Sequence, residues 1–230
     1  MLTNYPGAAV DQSQRCFELL QSGDANALRR LLEEAPDAAD ARDTNGVSLL
    51  MHTLYRGRPD LAETVAARKH ELDIFEAASL GRLEALKKYL HNDDALNSYS
   101  KDGFTALHFA CYFGQPEAAR LLVEKGARID AVANNATKVM PLHSAASSRN
   151  LAAARILLEH GAPVNARQQA GWVPIHAAVQ NGDAAMVDLL LAHGADAETA
   201  NDEGKTPAIL ARDKGHTQIA ALLETLKAKS

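Results

Sequence analysis

The sequence predicts an all-α solenoid of about seven helix-turn-helix units, and three observations carry that prediction. An apolar anchor recurs at Cys16, Leu50, Ile74, Leu107, Leu142, Ile175 and Ala208, in most intervals 33 to 35 residues apart. Seven residues after each anchor stands Gly23, Gly57, Gly81, Gly114, Arg149, Gly182 or Gly215. Ala and Leu dominate an apolar fraction of 47%, whereas aromatics supply only 5%, as suits short helices packed closely. Self-similarity near 33 residues marks a stacked array in which no unit buries its apolar face alone.

The units fall at approximately 14–42, 43–70, 71–98, 99–133, 134–166, 167–199 and 200–227. Residues 1–13 read as an N-terminal extension, 14–227 as a single elongated domain and 228–230 as a tail. The segment Lys101 to Ala133 shows the logic of one unit. Asp102-Gly103 is a turn signal, because Gly takes the positive φ that a tight reversal needs. Thr105 suits a helix N-cap, its hydroxyl accepting from an orphan backbone N–H. Leu107, Ala110 and Cys111 then form one apolar stripe at i, i+3, i+4, and Gly114 ends that helix in a left-handed cap. A second helix follows with Ala118, Ala119, Leu122 and Val123 inward, and Gly126-Ala127 closes it.

These residues resemble the ankyrin repeat. The family pattern opens Thr-Pro-Leu-His, and here stand Thr105-Ala106-Leu107-His108, Met140-Pro141-Leu142-His143, Val173-Pro174-Ile175-His176 and Thr206-Pro207-Ala208-Ile209. The family's closing Gly-Ala is present at Gly126-Ala127, Gly161-Ala162 and Gly194-Ala195. The resemblance covers roughly residues 14 to 227. It implies an L-shaped helix pair per unit, β-hairpin fingers projecting sideways and a concave groove lined by the first helices. It also implies that His108, His143 and His176 bond backbone groups of neighbouring turns. The Ala- and Arg-rich composition leans towards a bacterial source for a freestanding protein of this kind.

The departures make further predictions. Phe17, Met51 and Phe75 stand at the motif His in the first three units. The interval between the second and third anchors falls to 24, so the finger between them is expected to be missing. The fifth unit gains two residues around Asn134-Asn135-Ala136-Thr137-Lys138, which lengthens its finger. Arg149 in place of the cap glycine must adopt a left-handed conformation at a cost of about 1 kcal/mol. Met140 and Val173 lack a capping oxygen, while Pro141 and Pro174 keep the helix-starting φ. Ala208, Ile209, Lys227 and Lys229 suit a terminal unit with a solvated outer face.

Several function classes are disfavoured. A net charge of −5 with short, scattered basic clusters such as Arg29-Arg30 and Lys87-Lys88 argues against nucleic-acid binding. Residues Met1 to Gln12 do not read as a signal peptide, and no run approaches the roughly 20 apolar residues of a membrane span, so a cytoplasmic protein is expected. Cys16 and Cys111 lie three units apart, out of disulfide reach. The histidines of successive units would stack roughly 8–10 Å apart, too far to share one metal. With no phosphate-binding glycine loop, no His-Glu-x-x-His and no Cys-x-x-Cys, neither cofactor, metal nor catalytic residue is expected. Glu33-Glu34 and Asp93-Asp94 read as solvated charge near the ends of second helices.

Function is therefore expected on the surfaces that stacking leaves free: the finger tips and the residues before each cap glycine. Of the eleven Phe, Tyr and Trp residues, Tyr55, Phe104, Tyr112, Phe113 and Trp172 occupy these few positions, and Tyr99 and Phe109 lie close by. Exposed aromatics in quantity mark contact surfaces. The opposing reading is that Phe104 and Trp172 pack on adjacent fingers and that Phe109 lies between first helices. The expected binding set is Tyr55, Arg56, Tyr99, Phe104, Tyr112, Phe113, Trp172, Gln180 and Asn181, with Lys101, Asp102 and Gln169 at the polar rim. The expected partner is a protein bound by a monomeric, non-catalytic scaffold or regulator. A role in oxidative-stress protection and an enzyme with a groove site are the alternatives.

Overall fold

The structure, a computed structural model, describes residues 12–228. Most of the expected N-terminal extension and the last two residues of the tail lie outside that range. The chain divides into two compact bodies, one ending at Leu72 and one starting at Asp73.

In the first body, α1 (Gln12–Ser22) packs on α2 (Ala25–Glu34), and α3 (Leu49–Tyr55) packs on α4 (Pro59–Ala66). A 3-10 turn at Pro36–Asp40 joins the two pairs, and α1 also touches α3 as α2 touches α4. Cys16, Leu28, Leu32, Leu50 and Leu61 are fully or almost fully buried between them. Helices α2 and α3 start where short polar side chains satisfy orphan amides, Asp24 accepting from Ala27 N–H at 2.9 Å and Ser48 from Met51 N–H at 3.3 Å, whereas α4 opens on Pro59 without a side-chain cap. Beyond α4, the ammonium of Lys69 reaches Asp40 at 2.9 Å and the His70 ring reaches the other oxygen of the same carboxylate at 2.5 Å.

The second body holds five helix pairs: α5 (Ile74–Ser79) with α6 (Leu83–Lys87), α8 (Ala106–Tyr112) with α9 (Pro116–Glu124), α10 (Pro141–Ser147) with α11 (Leu151–Glu159), α12 (Pro174–Gln180) with α13 (Ala184–Ala192), and α14 (Pro207–Asp213) with α15 (Thr217–Lys227). A short helix, α7 (Asp93–Leu96), lies between the first and second of these pairs. Helices α5, α8, α10, α12 and α14 form one row, and α6, α9, α11 and α13 form a second. Leu107, Leu122, Leu142, Leu157, Ile175 and Leu190 are buried between the rows. Each such side chain contributes roughly 1.5–3 kcal/mol of transfer free energy.

The glycine rhythm has the predicted conformational basis. Gly114, Gly182 and Gly215 have φ of 74°, 67° and 77°, and Arg149 takes φ 60° in the same place. Among the described residues there is no regular strand, and an isolated antiparallel bridge joins Arg42 to Ser48. The connections are tight turns. Ser100 N–H bonds Phe104 O at 2.8 Å, Gln168 N–H bonds Trp172 O at 2.8 Å and Asn201 N–H bonds Lys205 O at 3.0 Å, each four residues on. In the fifth unit the closing bond runs from Ala133 to Val139 at 2.7 Å, so the two extra residues do lengthen that turn. Successive turns are tied by Asn134 N–H to Gly103 O, Gln169 N–H to Thr137 O and Asp202 N–H to Ala170 O, at 2.8 to 3.0 Å.

Two local expectations are corrected. Phe75 does not occupy the motif His position, because α5 is one residue shorter than α8; the third helical residue is Glu76, whose carboxylate accepts from Asp73 N–H at 3.0 Å. Asp93 and Asp94 do not end a second helix. They open α7, where carboxylates suit the positive end of the helix dipole and Asn92 accepts from Asp94 N–H at 2.9 Å.

Candidate functional site

Each turn of the second body is held by a buried histidine. Nδ1 of His108, His143 and His176 accepts the N–H of Thr105, Met140 and Val173 at 3.1 to 3.2 Å, one half of a capping box; the other half, a cap oxygen accepting from the histidine backbone N–H, is supplied by Thr105 and is missing at Met140 and Val173. With Nδ1 accepting, the proton sits on Nε2, which donates to Val139 O, Ala166 O and Lys205 O at 3.0 to 3.2 Å. Burial disfavours the imidazolium and depresses His108 and His143 to about 4, and it lowers His176 as well. The resemblance-based role of these rings as ties between helix and turn is what the structure displays.

The ties position a hollow of about 470 Å³ between the fifth and sixth turns. Thr137 and Val139 line it from one turn, and Gln168, Gln169, Ala170 and Trp172 from the next. Its base is made by Ser147 at the end of α10 and by Ala177, Gln180 and Asn181 on and after α12. The Trp172 ring leans on the His176 ring with centroids 5.5 Å apart. Asn181 is fixed by donating to Ala146 O at 3.2 Å and to Ser147 O at 3.0 Å, and Arg149 Nη2 donates to Asn181 O at 2.5 Å. None of the residues lining the hollow is ionisable, so it is a polar but uncharged site.

Gln169, Trp172, Gln180 and Asn181 of the sequence-nominated set are thus gathered around one hollow. The others are placed differently. Phe109 is almost fully buried and is the hub of an aromatic group, with Phe75, Phe104 and Phe113 centroids 6.0, 5.7 and 6.3 Å away. Phe104 and Phe113 are half-buried in that group, whereas Tyr112 meets Phe113 edge-on and is 51% exposed. Tyr99 is exposed, and its hydroxyl donates to Val132 O at 3.0 Å. Lys101 is exposed, and Asp102 is half-buried and accepts from the Ser100 hydroxyl. Tyr55 and Arg56 are exposed at the C-terminal end of α3 in the first body.

Sequence reasoning missed Gln168, although a signal was present. The same turn position holds Asp43, Ser100 and Asn201. Asp43 Oδ1 accepts from Asn45 and Val47 N–H, Ser100 Oγ from Phe104 N–H, and Asn201 Oδ1 from Glu203 and Lys205 N–H. Such turns need a short side chain. Gln is one methylene longer than Asn; the Gln168 backbone N–H still closes the turn on Trp172 O, but its side-chain Oε1 accepts from no turn amide and is buried with no hydrogen-bond partner.

Cys16 and Cys111 are both buried and form no disulfide, and burial raises the Cys111 thiol. Among the described residues, no group of three or more His, Cys, Asp or Glu gathers closely enough to hold a metal ion, and no helix is long and apolar enough to cross a membrane.

Comparison with known proteins follows the same repeats. The family described as ankyrin repeats (3 copies) matches residues 74–168, and that described as ankyrin repeats (many copies) matches residues 157–211. The chain is 26% identical over 148 residues to ankyrin repeat domain-containing protein SAT10 of Stachybotrys chartarum, covering 63% of this chain and 8% of that protein. It is 45% identical over 56 residues to ankyrin repeat domain-containing protein oryK of Aspergillus oryzae, covering 24% and 9%. It is 44% identical over 70 residues to the B-cell lymphoma 3 protein homolog of Mus musculus, covering 30% and 15%. The matches therefore span less than a sixth of these relatives' length. Repeat spacing, histidine-tied turns and the two family matches agree, and this chain belongs to the ankyrin-repeat family.

Proposed function

We propose that this protein is a non-catalytic binding module that grips a protein partner through its turn tips and the adjoining ends of its first helices. Ankyrin repeats are generally protein–protein interaction modules, which supports the class. The observation that carries the reading is the hollow that joins Gln169 and Trp172 of one turn to Gln180 and Asn181 of the next helix end. These are the positions that stacking leaves free, and none of them offers a nucleophile, acid or base. Each helix pair is taken as one repeat, giving seven within 14–227. The turns act as the fingers of the family, Tyr112 and Phe113 extend the contact surface, and the chain works as a cytoplasmic monomer.

Affinity capture from the native host, followed by mass spectrometry, tests this. The wild-type chain is expected to retain a protein that the double variant Phe113→Ala, Trp172→Ala loses while its helical circular dichroism is unchanged. Retention by both, or by neither, removes this placement.

A further inference from the structure

We propose that Asn45-Gly46 is a self-modifying site, where the folded chain converts asparagine to isoaspartate and thereby loosens the turn that leads into α3. The reaction needs only water. The backbone nitrogen of Gly46 gives up its proton and attacks Cγ of Asn45, the side-chain nitrogen leaves with that proton as ammonia, and a cyclic succinimide closes. Water then opens the ring at one of its two carbonyls. One opening gives aspartate, and the other gives isoaspartate, in which the main chain runs through the former side chain.

The sequence holds two Asn-Gly pairs, Asn45-Gly46 and Asn181-Gly182, and the structure treats them oppositely. Their backbones are matched. Neither glycine has a Cβ to obstruct its nitrogen, φ is 82° at Gly46 and 67° at Gly182, and each donates its N–H at 2.9 Å to the carbonyl three residues back, Asp43 O or Val179 O. Their carboxamides are not matched. Asn181 is half-buried and its side-chain amide donates to Ala146 O at 3.2 Å and Ser147 O at 3.0 Å, so Cγ cannot turn towards the Gly182 nitrogen without breaking both bonds. Asn45 is exposed, and its carboxamide has no hydrogen-bond partner to break. Arg42 Nη1 also donates to Gly46 O at 3.1 Å, which sets a positive charge beside the amide that must lose its proton.

The turn around Asn45 is held by local bonds. Asp43 N–H bonds Val47 O, and Asp43 Oδ1 accepts from Asn45 and Val47 N–H, all at 2.9 Å. Bonds of this kind open without unfolding the body, and that opening releases the Gly46 N–H for reaction. Isoaspartate then adds one methylene to the main chain between Asp43 and Val47, so these bonds no longer fit the span. It also adds a carboxylate near that of Asp43, whose Oδ2 holds the His52 ring at 2.9 Å. Ser48, the cap of α3, follows Val47 directly, so the disturbance reaches the start of that helix.

The test is peptide mapping by mass spectrometry of the whole chain kept folded at mildly alkaline pH, with a second sample kept in concentrated urea. In the folded chain the Asn45 peptide is expected to gain about 1 Da at least roughly tenfold faster than the Asn181 peptide, the factor expected from two hydrogen bonds that must break first. In urea the two rates are expected to converge. Asn45→Gln is expected to abolish the product while leaving the helical circular dichroism unchanged. The isoaspartate form, separated by its extra negative charge, is expected to exchange the Val47 and Met51 amide hydrogens at least severalfold faster than the unmodified chain. Asn45→Asp carries the same charge without the extra methylene and is expected to change that exchange much less.

Equal rates at the two pairs in the folded chain, or an Asn45 that reacts in urea but not when folded, overturns the site. Unchanged exchange at Val47 and Met51 in the isoaspartate form overturns the loosening of the turn. An Asn45→Asp variant that exchanges as fast as the isoaspartate form also overturns it, because charge alone then accounts for the effect.

Discussion

Nε2 of His143 donates to the backbone carbonyl of Ala166 at 3.0 Å, 23 residues further along the chain, while Nδ1 of the same ring accepts the N–H of Met140 at 3.1 Å. One neutral ring thus closes the start of α10 and holds the next loop. His143→Ala leaves both backbone groups without this partner and opens a cavity, and a loss of about 2–4 kcal/mol is expected in urea unfolding.

The same rings set the response to acid. Folded His108 and His143 stay neutral down to about pH 4, whereas in the unfolded chain they protonate near 6.5. The unfolded state therefore binds more protons between these values. Stability should be full above about pH 6.5 and fall as pH drops towards 4, by up to about 1.4 kcal/mol per pH unit for each ring. His176 acts in the same direction. The paired carboxylates, such as Asp60 at about 2, act only below that window. His70, raised by Asp40, has the opposite sign: its contribution is present below 6.5 and lost as pH rises through its folded value. Denaturant titrations at half-unit steps, repeated on His143→Ala, check this through a shallower slope in the variant.

Two glycines separate conformational cost from close approach. A Cβ on Gly103, at φ 87°, would lie 2.6 Å from the carbonyl oxygen of Asn134 in the next turn, while one on Gly126, at φ 92°, would meet nothing within 4 Å. Gly126→Ala is expected to cost about 1 kcal/mol and Gly103→Ala at least about 2 kcal/mol, because the backbone of the following turn must move. Equal melting temperatures for the two variants would contradict this.

Lys138 takes φ 54° two residues before the N-cap, where Gly46, Gly103, Gly171 and Gly204 stand in other turns. Lys138→Gly is expected to stabilise by about 0.5–1 kcal/mol, the relief of left-handed strain exceeding the added freedom of the unfolded chain. Arg149→Gly should be closer to neutral, since it also removes the bond to Asn181 O.

Phe109 and Tyr112 lie on the same helix with opposite fates. Phe109→Ala should destabilise by about 3–5 kcal/mol, as for any buried aromatic, whereas Tyr112→Ala should stay within about 0.5 kcal/mol and lower partner affinity instead. Thermal melts beside a binding assay distinguish the two.

The sequence by itself determined the helix pairs, the cap at Thr105, the left-handed conformation of Arg149, the longer fifth turn and the absence of a Cys16–Cys111 disulfide. Each follows from local stereochemistry or from a spacing that repeats, and in a stacked array neighbours meet at fixed intervals. Only the tertiary structure decided that Glu76 takes the place read for Phe75, that Phe109 is covered while Tyr112 is not, and that the Gln168 side-chain oxygen is buried without accepting from its own turn. Those outcomes depend on one residue missing from α5, on rings arriving from adjacent helices, and on one methylene too many in a side chain. Such differences leave the repeat period unchanged, and they act only when neighbouring units are packed together.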